Sequence, residues 1–188
     1  MHSADTVQLD SHAAATLRYI RASMESAASL AVPGSTGIAS GVVGLAATLV
    51  SSVPAVRPHW LIVWLVAAVV AAVAGGVLLF RQAPLRRFAI GLLPSLFAGA
   101  VMTAVLWSSD NLRAIPGTWL LLYGCGLTAA STATGKSIGI LGASFVATGL
   151  LALVLPDSAQ IPMLGVGFGG LHLGFGYLVR RAGHGSEG

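Results

Sequence analysis

WLIVWLVAAVVAAVAGGVLLF, residues 60–80, is a run of 21 residues without a charged or amide side chain. Crossing a hydrocarbon core of about 30 Å takes roughly 20 helical residues, so this stretch has the length and composition of a transmembrane helix. Five further stretches have the same character. The predicted spans are 34–53, 59–80, 88–107, 116–134, 138–155 and 161–179, and none contains Asp, Glu, Lys or Arg. Their burial in lipid therefore desolvates no charge.

The breaks between them are chemically legible. Pro54-Ala55-Val56-Arg57-Pro58 parts the first span from the second, and Arg81 to Arg87, with Pro84, parts the second from the third. Ser108-Ser109-Asp110-Asn111 and Pro116 divide the third from the fourth, Thr134-Gly135-Lys136 turns the fourth into the fifth, and Pro156-Asp157 ends the fifth. Pro fixes φ and Asn or Asp bonds its own backbone, which suits both to turns. Connections this short favour antiparallel neighbours. The predicted fold is all-α: an integral membrane bundle of six transmembrane helices over 33–180, preceded by an amphipathic surface helix at 11–32, with disordered tails at 1–10 and 181–188.

Composition agrees. Of 188 residues 55% are hydrophobic and 9% charged, against about 25% charged in an ordinary soluble domain. The net charge of +4 sits in short loops between apolar runs rather than on one face, so no nucleic-acid partner is expected. A single cysteine, Cys125, rules out an intrachain disulfide and a cysteine metal cluster. Residues 1–16 are polar or small and do not form a secretory signal.

The basic residues set an expected orientation. Arg18, Arg21, Arg81, Arg86, Arg87, Lys136, Arg180 and Arg181 fall on one side of the six spans, and Arg57 and Arg113 on the other. The positive-inside rule places the first group, with both termini, in the cytoplasm, which in a bacterium makes this an inner-membrane protein. Trp60, Trp107 and Trp119 then fall at the external interface, where indoles prefer to lie.

Between residues 11 and 31, Leu17, Ile20, Met24 and Ala28 recur at helical spacing, while Arg18, Arg21 and Glu25 fall mainly on other faces. This reads as a helix lying on the cytoplasmic surface. Its sharper alternative is a docking surface for a cytoplasmic regulatory protein, formed by Leu17, Arg18, Tyr19, Arg21, Met24 and Glu25. Val32-Pro33-Gly34 hinges it to the first span. A faint internal echo links Ile90-Gly91-Leu92-Leu93 and Phe97 to Ile138-Gly139-Ile140-Leu141 and Phe145, a hint of parallel repeats.

Few residues carry chemistry. His172, within Gly169-Gly170-Leu171-His172-Leu173-Gly174, is an ionisable side chain inside a span. It is a candidate proton relay, metal ligand or haem ligand, or a neutral imidazole bonded to a neighbouring helix. Cys125, Thr128 and Thr132 follow i, i+3, i+7 along the fourth span, with Tyr123, Ser131 and Thr134 beside them. Such hydroxyls commonly bond back to their own helix; the alternative is a polar cavity lined by Tyr123, Cys125, Thr128, Thr132 and His172. Gly165 with Gly169, Gly170 with Gly174, and Gly37 with Gly41 have the spacing that lets helices approach closely, within one protomer or across a homodimer.

Three motifs fall short. Gly135-Lys136-Ser137 ends like a phosphate-binding loop, but Ala130 stands where its first glycine belongs. Ser40-Gly41 with His172 is similar to an intramembrane serine–histidine dyad, but the surrounding residues do not match the rhomboid protease pattern. The Arg81–Arg87 loop is accounted for by topology. With no nucleophile–base–orienter set and no paired carboxylates in a span, no enzymatic activity is expected.

Leu17-Arg18-Tyr19-Ile20-Arg21, Met24-Glu25 and Val32-Pro33-Gly34, with Trp119-Leu120-Leu121-Leu122-Tyr123-Gly124 and Phe168-Gly169-Gly170-Leu171-His172, resemble a family of small bacterial multi-pass membrane proteins without an assigned function. Members are often encoded beside a small winged-helix transcriptional regulator. Where the family usually has an aromatic residue after Pro-Gly, this chain has Ser35. The resemblance implies a sensing or regulatory partnership. The leading expectation is thus a non-enzymatic membrane sensor or regulatory partner. The alternatives are a small-molecule or proton-coupled transporter, and a haem- or quinone-binding protein using His172.

Overall fold

The computed structural model describes residues 16–20, 34–79 and 83–184, and it divides into two compact units, 1–31 and 32–188. In the first unit residues 16–20 are helical, with Leu17, Arg18, Tyr19 and Ile20 exposed. Arg21, Met24 and Glu25 of the expected docking surface lie outside the described residues, as do both expected tails apart from 181–184.

The second unit is all helical among its described residues. Its helices are α1 (Gly34–Ser52), α2 (Trp60–Leu79), α3 (Ala83–Ser108), α4 (Ile115–Thr134) and α5 (Lys136–Val154), followed by a composite last segment. That segment runs through α6 (Gln160–Leu164), a π-helical stretch Gly165–Leu171 and α7 (His172–His184). The elements fall close to the predicted apolar runs, with two ends moved: α7 continues to His184, past the expected span end at 179 and into the expected tail from 181, and α3 begins early. α3 reaches back to Ala83, so Arg86 and Arg87 belong to its first turns rather than to a loop. Pro84 does not prevent this, because the first N–H groups of a helix have no intrahelical partner to lose. Pro94 sits inside α3 and removes one bond from its ladder.

Five helical stretches among the described residues are long and apolar enough to cross a membrane: Gly34–Ser52, Arg57–Gly75, Phe88–Ser108, Lys136–Val154 and Asp157–Arg181. The expected sixth, α4, falls short by composition. Its 20 residues include Thr118, Tyr123, Thr128, Ser131, Thr132 and Thr134. The reason lies in its position. α4 packs against α3, α5 and α6, with Ile115, Leu120, Leu127 and Ala130 buried. Its apolar residues are taken up by these helix contacts, while the hydroxyls of Thr128 and Thr132 on the exposed side bond carbonyls of their own helix.

Two glycine seams hold the bundle together. Along the first, α1 packs on the last segment. A Cβ added at Gly44 would come within 2.5 Å of Phe168 C and O, one at Gly41 within 2.9 Å of Gly169 O, and one at Gly37 within 3.1 Å of Gly176 Cα. Along the second, α4 packs on α5. A Cβ at Gly124 would meet Gly142 O at 2.7 Å, and one at Gly149 would meet Leu121 N at 2.5 Å. Backbones this close are what small residues at a helix interface permit. Gly165 and Gly169, predicted as a close-approach pair, face Thr48 and Leu45 of α1 within the protomer, whereas Gly174 faces open space.

α4 and α5 are joined by Gly135 alone, at φ +101° and ψ 173°. That conformation is open to glycine and costly for other residues. At the opposite end of the bundle three 3₁₀ turns precede helices: Arg57–His59, Leu112–Ala114 and Asp157–Ala159. Arg113 Nε there pairs with Asp157 Oδ1 at 2.7 Å.

The internal echo does not correspond to equivalent environments. Ile138 and Phe145 are buried, whereas Ile90 and Phe97 are exposed, Phe97 by 73%. The three indoles expected at the external interface differ in their surroundings. Trp60 and Trp119 pack edge to face at 6.4 Å, and Trp119 Nε1 donates to Thr103 Oγ1 at 2.7 Å. Trp107 is the exposed member of the three.

Candidate functional site around His172

Four rings from three segments meet where the two seams converge: Tyr123 of α4, Phe145 of α5, Phe168 of the π stretch and His172 of α7. Every pair among them is in contact, with centroid separations from 4.9 to 6.3 Å. Trp64 of α2 joins through Phe168 at 5.8 Å. Phe168 and His172 are four residues apart and share a helix face. Gly167 leaves room for Leu120 and Phe145, since a Cβ there would lie 2.2 Å from Leu120 Cδ2. Phe145 is fully buried and His172 nearly so.

Both nitrogens of His172 are engaged. Nδ1 lies 3.2 Å from Phe168 O, and Nε2 lies 3.0 Å from Tyr123 Oη. A carbonyl can only accept, so Nδ1 carries the hydrogen, and Tyr123 O–H donates to Nε2. The π-helical stretch enables this. The His172 backbone N–H bonds Gly169 O, which leaves Phe168 O, the partner of that N–H in a regular α-helix, to the imidazole. The arrangement needs no charge on either ring, as suits a water-poor interior.

The predicted polar stripe stands elsewhere. Cys125, Thr128 and Thr132 are exposed. Thr128 Oγ1 donates to Gly124 O at 2.9 Å and Thr132 Oγ1 to Ala129 O at 2.9 Å. Ser131 Oγ bonds Thr128 O at 2.6 Å and Thr134 Oγ1 bonds Ala130 O at 3.1 Å. The structure therefore brings Tyr123 to His172 and leaves Cys125, Thr128 and Thr132 apart from both. Two residues along a helix turn the side chain by about 200°, so Tyr123 and Cys125 cannot share a face. Among the described residues no group of three His, Cys, Asp or Glu side chains gathers to hold a metal.

A haem on His172 would need Nε2 as its axial ligand. That atom instead accepts the Tyr123 hydroxyl within a closed set of rings, so the residues present do not fit the group in this arrangement.

Three polar anchors escaped the sequence pattern. Gln160 Nε2 donates to Ala152 O at 2.8 Å and to Leu155 O at 3.3 Å, tying the start of α6 to the carbonyl end of α5. Thr103 Oγ1 accepts from Trp119 and donates to Gly99 O at 2.7 Å. Arg113 bridges two loops through Asp157 and, by Nη2, Leu155 O at 3.2 Å. The one advance signal was a lone amide, Gln160, opening an otherwise apolar segment. No protein-family model, curated protein or solved structure matches this chain.

Proposed function

We propose that this chain is a non-enzymatic six-pass protein of the cytoplasmic membrane, with both termini inside. In this reading it responds to the state of the bilayer and signals through residues 11–31 to a cytoplasmic regulatory protein. α4 is the sixth pass. Its polar side chains are compatible with crossing because its hydroxyls bond their own backbone and its apolar face is enclosed by α3, α5 and α6.

One observation carries the reading. α1, which continues in sequence from residues 11–31, packs through Gly37, Gly41 and Gly44 onto the last segment, including its π-helical stretch. π-helical turns are frequent at functional sites. A change in the winding of Gly165–Leu171 would displace α1 directly, because at Gly44 the two backbones approach too closely to move independently. The engaged His172 ring favours this reading over haem or quinone binding, and the absence of a carboxylate from every predicted span weighs against proton-coupled transport.

The test is co-purification from native membranes with the full chain and with residues 1–31 deleted. A cytoplasmic protein retained by the full chain and lost on deletion is expected. An unchanged set of co-purifying proteins would remove the regulatory reading.

A further inference from the structure

A row of aromatic rings leads from the first turn of α2 to His172. Trp60 and Trp64 lie one turn apart on one face of that helix, and Trp60 is only partly buried. Trp119 meets Trp60 edge to face at 6.4 Å. Trp64 lies 5.8 Å from Phe168, and Phe168 lies 5.2 Å from Tyr123. Rings in contact at such separations can pass an electron from one to the next.

The oxidisable rings of this row differ in what their polar hydrogens meet. An indole or phenol that loses an electron becomes strongly acidic, and it keeps the oxidation where a base can take its proton. Trp64 Nε1 is buried and has no acceptor among the described residues. Trp119 Nε1 faces the Thr103 hydroxyl, which is not a base. Tyr123 Oη faces the bare nitrogen of an imidazole, His172 Nε2, at 3.0 Å, within the roughly 2.6–3.2 Å over which a positioned base takes a proton. Phe168 O stands 3.2 Å from Nδ1. An imidazolium at this position therefore has both of its N–H groups bonded, one to Phe168 O and one to Tyr123 Oη.

We propose that Tyr123 is a one-electron oxidation site, with His172 as its base, that quenches lipid peroxyl radicals. An electron leaves Tyr123 by way of Trp64 and Trp60 for the peroxyl radical. The Tyr123 O–H bond breaks, and its proton forms a bond to His172 Nε2. Tyr123 becomes a neutral phenoxyl radical and His172 an imidazolium. The peroxyl radical is reduced to its anion, which takes a proton from water to become the hydroperoxide and leaves hydroxide. The site rests on the ring geometry. The class of oxidant follows from the exposed Ile62, Leu65, Val66 and Val69 of α2, which suit hydrocarbon, and no regulatory partner is required.

The test is flash generation of a lipid-soluble peroxyl radical in micelles of the full chain, with radicals followed by transient absorption and identified by electron paramagnetic resonance. A background of Tyr19→Phe and Tyr177→Phe, both at exposed positions, leaves Tyr123 as the one tyrosine of the chain. A tyrosyl radical that narrows with ring-deuterated tyrosine is expected there. His172→Gln still offers an oxygen acceptor but no base, and should slow tyrosyl formation about a hundredfold, the lower end of what a positioned base contributes. Tryptophan radicals should then outlast those of the parent, which separates loss of the base from loss of the fold. Trp64→Phe keeps a ring against Phe168 and should also slow the arrival of oxidation at Tyr123. Tryptophan radicals without a tyrosyl signal in the parent background would overturn the proposal. So would an unchanged tyrosyl rate in His172→Gln or in Trp64→Phe, or a tyrosyl radical formed by a water-soluble oxidant and not by the peroxyl radical.

Discussion

Tyr123 Oη stands 3.0 Å from His172 Nε2, joining α4 to α7 across a distance of 49 residues in sequence. The hydroxyl can do this because the imidazole is oriented from its other side by Phe168 O. Tyr123→Phe keeps the ring contacts and removes the donor, and should cost about 0.6 kcal/mol and no more than roughly 1.7, the range found for such bonds in membrane proteins. His172→Ala also empties space among three rings and should cost about 2–5 kcal/mol. Reversible unfolding in mixed micelles would measure both. The purified wild type should show the absorption spectrum of protein alone. A Soret band lost in His172→Ala would mean that Nε2 leaves Tyr123 for iron.

The seam between α1 and the last segment predicts a contrast between two glycine-to-alanine changes. Gly44→Ala drives a methyl group into the Phe168 backbone at 2.5 Å and should destabilise by about 1–3 kcal/mol through overpacking. At Gly99 a Cβ meets nothing within 4 Å, so Gly99→Ala should stabilise by about 0.5–1 kcal/mol through helix propensity. Equal effects at the two sites would mean that the seam does not form.

Gln160→Leu conserves bulk and removes the donors that hold Ala152 O and Leu155 O. Leu155 O keeps its bond from Arg113 Nη2, so the loss falls on Ala152 O, and about 1–3 kcal/mol is expected for that buried acceptor left without its donor. Asp157→Asn, by contrast, breaks an ion pair whose side chains are 52% and 76% exposed, and should change stability by less than about 1 kcal/mol. The same unfolding measurement orders the two.

The proposal that α4 crosses the membrane is tested by cysteine labelling in a Cys125→Ser background. Ser109→Cys and Ser137→Cys flank that helix, in the α3–α4 turn and at the second residue of α5. An impermeant maleimide applied to intact cells should label the first and spare the second. Labelling of both, or of neither, would place α4 outside the set of crossing helices.

Much of this architecture was legible in the sequence because apolar run length and Pro/Asn/Gly punctuation report local structure. Gly135 marked the α4–α5 turn, and Pro116 falls at the start of α4. What the pattern could not deliver was partnership. The i, i+3, i+7 stripe of Cys125, Thr128 and Thr132 is regular, yet each of these threonines satisfies its hydroxyl on its own helix. Tyr123, off the stripe, is the residue that reaches His172. Hydropathy also cannot register enclosure. α4 is too polar to pass as a lipid-facing span, and its sequence does not show that its apolar residues pack on α3, α5 and α6 while its exposed threonines bond their own helix. The echo between residues 90–97 and 138–145 misled for the same reason, since similar apolar strings serve an outer helix and an inner one.

The partner of α1 lies far along the chain. Gly41 waits on Gly169, and at about 5–20 residues per second of synthesis the intervening chain takes roughly 6–26 s to appear. Through that interval the glycine face of α1 lacks its partner backbone, while α4 and α5, separated by one residue, can close at once. The α4–α5 seam is thus local in sequence and the α1 seam is not, so removing Phe168–Gly176 would orphan α1 rather than merely shorten α7.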